Sequence, residues 1–182
     1  RMPLSYGGGI KNIKQAKHIL SLGVEKVSLS SILFEKPEII QQLSSEIGVQ
    51  SVVVTFDVKK KRFGSSYDVY TYNAKKKQNK SLNEMLDYCL KSGAGEVVIN
   101  SIDQDGLMKG YDNALIKQVK DKINVPLTFL GGAGSLDHMK AVYQENGILG
   151  MAAESFFVFK GKFRAVLISY PSREEMQKIF VC

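Results

Sequence analysis

Two glycine-rich segments of the chain are each followed, at the same distance, by a hydroxyl side chain. Ser31 lies 23 residues after Gly8 (31 − 8), and Ser155 lies 23 residues after Gly132 (155 − 132). Glycine lets backbone N–H groups approach an anion, a following helix N-terminus adds favourable partial charge, and serine supplies a hydroxyl. Each segment is therefore predicted to hold a phosphate group, and two at one barrel mouth would suit a substrate with phosphates at both ends. The alternative is that these glycines only make tight turns.

Two aspartates come directly after predicted strands, where catalytic residues of parallel α/β proteins are commonly found. Asp57 follows the apolar run 51–56, and Asp105 comes just past the run 96–100. Carboxylates at the ends of separate strands can act as a general acid and a general base. The same segment contains Asp103, which is interpreted as a turn or capping residue. Asp57 and Asp105 are therefore the candidate catalytic residues.

Other kinds of site find little support. His18 and His138 fall on predicted helices and are interpreted as surface or packing residues, and no nucleophilic triad, metal site or cofactor motif can be assembled. The two cysteines, Cys89 and Cys182, form neither a disulfide framework nor a zinc pattern. The first residues lack the blocks of a signal peptide, and no apolar run approaches the roughly 18 residues of a membrane span. A cytoplasmic protein is predicted, without metal, cofactor or membrane contact.

The formal net charge of +7 is concentrated in two short stretches. These are KKKR at Lys59–Arg62 and KKK at Lys75–Lys77, with Lys80 just beyond. Three interpretations remain: a solvated loop, a loop that steers a small polyanion, or a nucleic-acid surface. The last finds no support in an RNA-binding aromatic signature, a Cys/His finger or a helix-turn-helix, and no nucleic-acid partner is predicted.

Short apolar runs alternate with amphipathic stretches, which predicts six βα units joined by right-handed crossovers. A doubly wound open sheet and a (βα) barrel both fit this alternation. The repeated glycine–serine spacing favours the barrel, although a barrel has eight units and at least about 200 residues. We therefore predict one α/β domain over residues 1–182, with a β-hairpin excursion at about 59–80. The predicted strands are 3–6, 26–30, 51–56, 96–100, 126–130 and 148–153, and the predicted helices begin near residues 13, 37, 82, 113, 136 and 173.

Six segments together resemble the cyclase subunit of imidazole glycerol phosphate synthase, the HisF type of the HisA/HisF family. They are PLSYGGGI, EKVSLSS, VVVTFDVKK, GAGEVVINSIDQDGLMKGYD, LGGAGSLDH and MAAESFFVF, and they span nearly the whole chain. The resemblance implies a (βα)8 TIM barrel, of which this chain would supply the third to eighth units. It also implies a heterodimer with a glutaminase subunit, whose ammonia attacks a ribulosyl bisphosphate intermediate (PRFAR) to give imidazole glycerol phosphate and an aminoimidazole carboxamide ribotide (AICAR).

The resemblance also assigns roles to single residues. Asp105 matches the family's general acid and Asp57 a second active-site aspartate. Lys26 and Glu96, at the starts of their strands, match two members of a charged gate at the ammonia entrance. The residues that match the two phosphate sites are Gly9, Ser30 and Ser31 for one, and Gly106, Gly132 and Ser155 for the other. A side chain at Gly132 is expected to block the phosphate, so Gly132→Val should weaken substrate binding.

Three departures from the family pattern bear on function. The first two βα units, with the family's catalytic base, have no counterpart in the chain, so the 182 residues alone are expected to be inactive. Ser30 replaces the usual asparagine, and Glu154 stands beside a phosphate-binding serine where its carboxylate would repel the ligand. The ending FVFKGKFRAVLISYPSREE resembles a branch found with surface-polysaccharide genes.

These departures leave three functions open. The first is the histidine-pathway cyclase, acting with ammonia and a small bisphosphate. The second uses the same scaffold to deliver ammonia for amidation of a surface-polysaccharide sugar. The third is a phosphate-binding fragment without catalytic activity.

Overall fold

The computed structural model describes residues 3–180, so Cys182 lies outside the described part. Contacts divide the chain into two compact units. The first contains the residues up to Ile99 together with Ile123–Leu127, and the second contains Asn100–Lys122 and the residues from Thr128 onward. A single domain over 1–182 stays a prediction.

Strands and helices alternate along most of the chain. In order they are β1 (Ser5–Gly7), α1 (Ile13–Ser21), β2 (Lys26–Leu29), α2 (Ile32–Glu35), α3 (Ile39–Ile47), β3 (Val52–Lys60), β4 (Tyr67–Thr71), β5 (Lys76–Lys77), α4 (Leu82–Lys91), β6 (Glu96–Ser101), α5 (Asn113–Val119), β7 (Leu127–Leu130), α6 (Leu136–Asn146), β8 (Gly150–Met151), α7 (Ser155–Val158), β9 (Phe159–Lys160), β10 (Ala165–Val166) and α8 (Arg173–Gln177). Short 3₁₀ turns precede β3 and follow α5.

In the first unit the sheet keeps the order of the chain, β1-β2-β3-β6. β1 and β2 are parallel, with Ser5 opposite Lys26, and β2 and β3 are parallel, with Val27 opposite Val52. A doubly wound sheet reverses its strand order at a switch point, whereas a barrel keeps it. The sheet therefore agrees with the predicted α/β fold, a partial (βα)8 barrel.

β3 runs four residues past the predicted end at Phe56 and turns back as an antiparallel hairpin. Asp57 pairs with Tyr70 of β4, and Tyr70 in turn pairs with Lys77 of β5. The excursion from 59 to 80 is thus built on β3 itself: β4 returns antiparallel to β3, and β5 runs antiparallel to β4.

The second unit has its own parallel pair, in which Thr128 of β7 lies opposite Gly150 of β8. β8 is only two residues long, shorter than the predicted 148–153, and Ile148 is 89% exposed. The prediction also missed α7 and the antiparallel pair β9–β10.

Helix ends follow the local sequence. The Asn12 side chain accepts the N–H of Gln15 at the start of α1, and Ser81 forms a capping box with Glu84 at the start of α4. These side chains satisfy backbone N–H groups that have no partner within the helix.

Each unit buries its own apolar core. In the first, Val52, Val53 and Val54 are all buried, as expected for a parallel strand covered on both faces. The largest fully buried side chains of this unit include Phe56, Leu29, Leu33, Ile40, Leu43, Met85 and Leu86, whereas Leu115 and Ile116 are those of the second. Within residues 3–180, no helix has the length and apolar character that crossing a bilayer requires.

Candidate functional site

The first unit contains a cavity of about 530 Å³ at the carboxyl ends of β1 and β2. We call it the first cavity. It is lined by Gly8, Gly9, Ile10, Lys11, Ser28, Leu29, Ser30, Ser31, Ile32, Glu35, Asp57, Tyr72, Asn73 and Lys75. Four predicted site residues, Gly9, Ser30, Ser31 and Asp57, therefore share one cavity.

Gly9 is positioned as a phosphate-binding glycine would be. Its φ is +73°, in the left-handed region that favours glycine, and a Cβ built there meets nothing within 4 Å. The space in front of its backbone is therefore open to a ligand.

Ser31 lies at the start of α2, and its side chain makes no capping hydrogen bond to that helix. Its Oγ instead accepts the backbone N–H of Tyr72 at 3.2 Å, from the far end of β4. The hairpin excursion thus reaches the first cavity, a contact that the sequence did not predict.

Asp57 lines the first cavity. The sequence predicted that it follows the end of its strand, and this prediction was wrong. It lies inside β3, where the partly buried carboxyl group follows the parallel part of the strand and precedes the hairpin. The prediction failed at this boundary because β4 gives β3 a new partner beyond Phe56.

In the second unit, Asp105, Gly106, Gly132 and Ser155 line a cavity of about 10 Å³, which we call the second cavity. A Cβ built on Gly106 would lie 4.0 Å from Ser155 Oγ. The volume is roughly the room of one water molecule. Four predicted residues thus come together, but the space among them is too small to enclose a phosphate group.

Gly132 has a different structural role from the one expected. It is buried with φ of +103°, and a Cβ there would collide with the carbonyl oxygen of Gly110. The Gly110 N–H donates to the Gly132 carbonyl at 2.8 Å. The expectation that Gly132→Val mainly blocks a phosphate is therefore wrong, because the added side chain would first meet the protein's own backbone.

Asp105 is exposed on the turn that follows β6. Its backbone N–H donates to the Ser101 carbonyl at 3.0 Å, which fixes the turn, and the residue lines the second cavity. Asp57 and Asp105 belong to different units. Their action on one ligand stays a prediction.

Two charged residues, Arg164 and Glu154, contact or belong to the wall of the second cavity. Arg164, at the β9–β10 turn, donates from Nη2 to the Gly106 carbonyl at 3.1 Å, and its guanidinium lies 4.9 Å from the centre of the Phe159 ring. Glu154, beside Ser155, lines the cavity and is exposed.

His138 contacts the glycine turn of the second unit. Its Nδ1 accepts the N–H of Gly134 at 3.1 Å, and its own backbone N–H donates to Ser135 Oγ. One N–H of the GGAG turn is therefore occupied by the protein. The position of His138 three residues after a capping serine was the only sequence signal for this contact.

The predicted gate residues form an ion pair. Lys26 and Glu96 are the first residues of β2 and β6, and Lys26 Nζ lies 2.6 Å from Glu96 Oε2. The lysine side chain is 38% exposed and the glutamate side chain 18%. Both lie at the amino ends of their strands, whereas the first cavity lies at the carboxyl ends of β1 and β2.

The family comparison confirms the resemblance. Residues 1–164 match the family described as "Histidine biosynthesis protein". A protein of Vibrio vulnificus (strain YJ016), with the provisional name imidazole glycerol phosphate synthase subunit hisF3, is 53% identical over 178 residues, which are 98% of this chain and 68% of that protein. A Leptospira interrogans protein with the provisional name of subunit HisF is 48% identical over 180 residues, 99% of this chain and 71% of its own length.

A third relative matches less of the chain. The imidazole glycerol phosphate synthase subunit HisF of Lactococcus lactis subsp. cremoris (strain SK11) is 39% identical over 144 residues. These are 79% of this chain and 56% of that protein.

Proposed function

Because the chain belongs to the histidine biosynthesis protein family, and its relatives are named as HisF subunits of imidazole glycerol phosphate synthase, we propose that it is the ammonia-using cyclase part of such an enzyme. Its reaction would convert PRFAR and ammonia to imidazole glycerol phosphate and AICAR in the cytoplasm. The observation that carries the proposal is the first cavity, which brings Gly9, Ser31 and Asp57 together.

The first cavity supports binding of one phosphate group. The open backbone at Gly9 and the hydroxyl of Ser31 can donate hydrogen bonds to phosphate oxygens. Ser30 adds a second hydroxyl at the same strand end. A second phosphate would bind outside the second cavity, near Gly106 and Ser155, because that cavity is too small to enclose it.

Proton transfer is the proposed role of the aspartates. Condensation of ammonia with a carbonyl requires a proton donor for the departing oxygen, and ring closure requires that protons be removed again. Asp105 is exposed and can exchange protons with solvent, so it suits the general acid. Asp57, partly buried in the first cavity, would stabilise positive charge that develops on the attacking nitrogen.

Ammonia would come from a glutaminase subunit, which makes the proposed enzyme a heterodimer. The Lys26–Glu96 pair supports this route, since an ion pair between the amino ends of two strands can restrict a pore on the face opposite the chemistry. The lysine ammonium and the glutamate carboxylate would narrow an opening while paired, and a partly exposed pair of this kind can separate at modest cost to let ammonia pass.

Amidation of a surface-polysaccharide sugar is the second candidate, and specific observations favour it. Glu154 places an exposed carboxylate beside the serine of the second cavity, where it would repel a phosphate. The Vibrio vulnificus and Leptospira interrogans relatives align over 178 and 180 residues, whereas the HisF subunit of Lactococcus lactis aligns over 144. A chain that resembles the first two relatives over more of its length than the Lactococcus lactis subunit could serve a different ammonia acceptor.

Genetic complementation separates these two candidates. A gene that encodes this chain extended at its N-terminus by the first two βα units of the Vibrio vulnificus relative is expressed, with a glutaminase partner, in a bacterium that lacks its own cyclase subunit and requires histidine. Growth without histidine is expected, and an Asp105→Asn variant should fail to grow. Failure of the unmutated gene, together with a polysaccharide defect when the gene is deleted in its own host, would reject the histidine-pathway function in favour of sugar amidation.

The activity of the 182 residues alone is a separate proposal. The resemblance places the family's catalytic base on a strand with no counterpart among them, so these residues are expected to bind phosphate and to turn over little PRFAR. Measurable turnover by the purified chain would show that the base has been assigned wrongly.

A further inference from the structure

The turn between β4 and β5, residues 72–75, is strained and lies on the wall of the first cavity. Tyr72, Asn73 and Ala74 have φ of 56°, 56° and 60°, three consecutive residues in the left-handed region without a glycine among them. Each costs about 1–2 kcal/mol relative to a right-handed conformation. Such strain persists only where surrounding contacts impose it, and it clusters at functional sites.

Two hydrogen bonds from Tyr72 hold this turn against the first cavity. Its backbone N–H donates to Ser31 Oγ at 3.2 Å, and its phenolic Oη donates to the Glu35 carboxylate. That carboxylate raises the pKa of the Tyr72 hydroxyl, so the hydroxyl keeps the proton that it donates. A third contact fixes the end of β4, where Gln78 Nε2 donates to Oγ1 of the fully buried Thr71 at 2.6 Å.

The bond from Tyr72 orients Ser31 for a ligand. Ser31 Oγ accepts an N–H from the turn, so its hydroxyl hydrogen points away from Tyr72. Because Ser31 lines the open cavity, this hydrogen is available to a ligand there. A hydroxyl with an occupied lone pair and a free hydrogen is prepared to donate to an anion.

The turn also brings a cation to the cavity. Lys75 lines it, whereas the neighbouring Lys77 pairs with Asp68 at 2.7 Å and Lys76 is absent from its wall. Of the two carboxylates on the wall, that of Glu35 accepts the Tyr72 hydroxyl, which lowers its ability to repel an anion.

The charge of the whole excursion agrees with an anionic ligand. Residues 59–80 contain eight lysines and arginines and one acidic residue, Asp68, so they carry the same +7 as the whole chain. The rest of the sequence is neutral overall. The hairpin therefore produces a positive electrostatic field on its side of the first cavity, which attracts an approaching anion.

We propose that the β4–β5 turn is the outer wall of the first phosphate site, that Lys75 binds the phosphate group held by Gly9 and Ser31, and that Tyr72 positions Ser31 for it. The inference rests on the proposed function, because it adds residues to a site whose glycine and serines are assigned there. It makes Lys75 a binding residue and Tyr72 a positioning residue.

Titration of the 182-residue chain with inorganic phosphate tests this directly. The amide signals of Gly9 and Ser31 are followed by two-dimensional NMR, which reports binding at this cavity alone. Lys75→Ala should weaken phosphate binding about tenfold or more, the loss expected for a charge-assisted hydrogen bond. Lys75→Arg should restore most of the affinity, and Lys76→Ala, one residue along the same hairpin, is the matched control and should change it less than twofold.

Tyr72→Phe tests the positioning role while keeping the ring and the backbone N–H. Loss of the bond to Glu35 should weaken phosphate binding a few-fold and speed hydrogen exchange of the turn amides. The chain should remain folded by circular dichroism, since the Tyr72 side chain is 46% exposed.

The outcomes separate this inference from the proposed function. If the amide signals of Gly9 and Ser31 report the same affinity for phosphate in the unmutated chain and in Lys75→Ala, the inference is wrong while the phosphate site stands. Equal weakening by Lys75→Ala and Lys76→Ala would show a general charge effect and would also overturn it. No shift of either amide in the unmutated chain at millimolar phosphate would reject the inference and the proposed site together.

Discussion

Gly9 and Gly132, which the sequence assigns to the same role, should lose different amounts of stability on the same substitution. Gly9 and Gly132 both have positive φ, +73° and +103°. A Cβ at Gly9 enters open space, whereas one at Gly132 meets the backbone carbonyl of Gly110. Alanine at each position therefore isolates the cost of that collision.

The expected magnitudes follow from three contributions. Left-handed backbone costs an alanine about 1–2 kcal/mol, and the reduced freedom of the unfolded chain returns about 0.4–1 kcal/mol. At Gly132 the collision adds about 1–3 kcal/mol, the range for overpacked sites, because Gly110 is fixed by its own hydrogen bond to Gly132. We expect Gly9→Ala to cost about 1 kcal/mol and Gly132→Ala about 3 kcal/mol.

Urea unfolding followed by circular dichroism measures both free energies. Gly9→Ala should stay close to the unmutated chain in stability and lose affinity for phosphate, since its methyl group projects into the first cavity. Gly132→Ala should lose about 2 kcal/mol more stability than Gly9→Ala. Equal stability of the two variants would refute the assignment of Gly132 to backbone packing.

Three further predictions address the acid, the ion pair and the buried thiol. Asp105→Asn in the chain extended by the first two βα units of the Vibrio vulnificus relative should lower kcat far more than it changes KM, and a predominant KM effect would contradict a proton donor. A double-mutant cycle of Lys26→Met and Glu96→Gln should give a coupling of about 0.5–1 kcal/mol in urea unfolding, whereas strictly additive effects would mean that the pair contributes nothing. Burial raises the pKa of the Cys89 thiol from 9.0 to about 12, so the unfolded chain loses this proton first and stability falls as pH rises between these values. Cys89→Ala should reduce that fall by up to about 1.4 kcal/mol per pH unit, and an unchanged pH dependence would argue against a buried neutral thiol.

Local sequence predicted the elements whose ends are decided locally. The helix from 82 was expected and observed because Ser81 and Glu84 cap each other, and α6 begins at Leu136 after the capping Ser135. The turn residues after β1 and β2 also lie where the alternation of apolar runs placed them.

Contacts between distant parts of the chain could not be read from the sequence. Ser31 and Tyr72 are 41 residues apart, and Arg164 and Gly106 are 58 apart. Both contacts depend on hairpins, since β4 carries Tyr72 to the first cavity and the β9–β10 turn carries Arg164 to the second. Periodicity predicted the hairpin at 59–80 but not where its turn lies, and it did not predict β9 and β10.

The glycine motif was predicted in position but only partly in meaning. Gly9 has the open backbone that phosphate binding requires. Gly132 must be a glycine because a side chain there would collide with the backbone of Gly110. Both are glycines in a turn that follows a strand, so sequence alone gave them the same role. The neighbours that distinguish them become visible only in three dimensions.

Ammonia incorporation tests the central claim most directly. The chain, extended at its N-terminus by the first two βα units of the Vibrio vulnificus relative, is incubated with PRFAR and ¹⁵N-labelled ammonium, and the products are analysed by mass spectrometry. The account predicts imidazole glycerol phosphate with one ¹⁵N atom, and a large loss of this product in Asp105→Asn. A folded extended chain that binds PRFAR but forms no labelled product, or that forms it equally well with Asp105→Asn, would contradict the account.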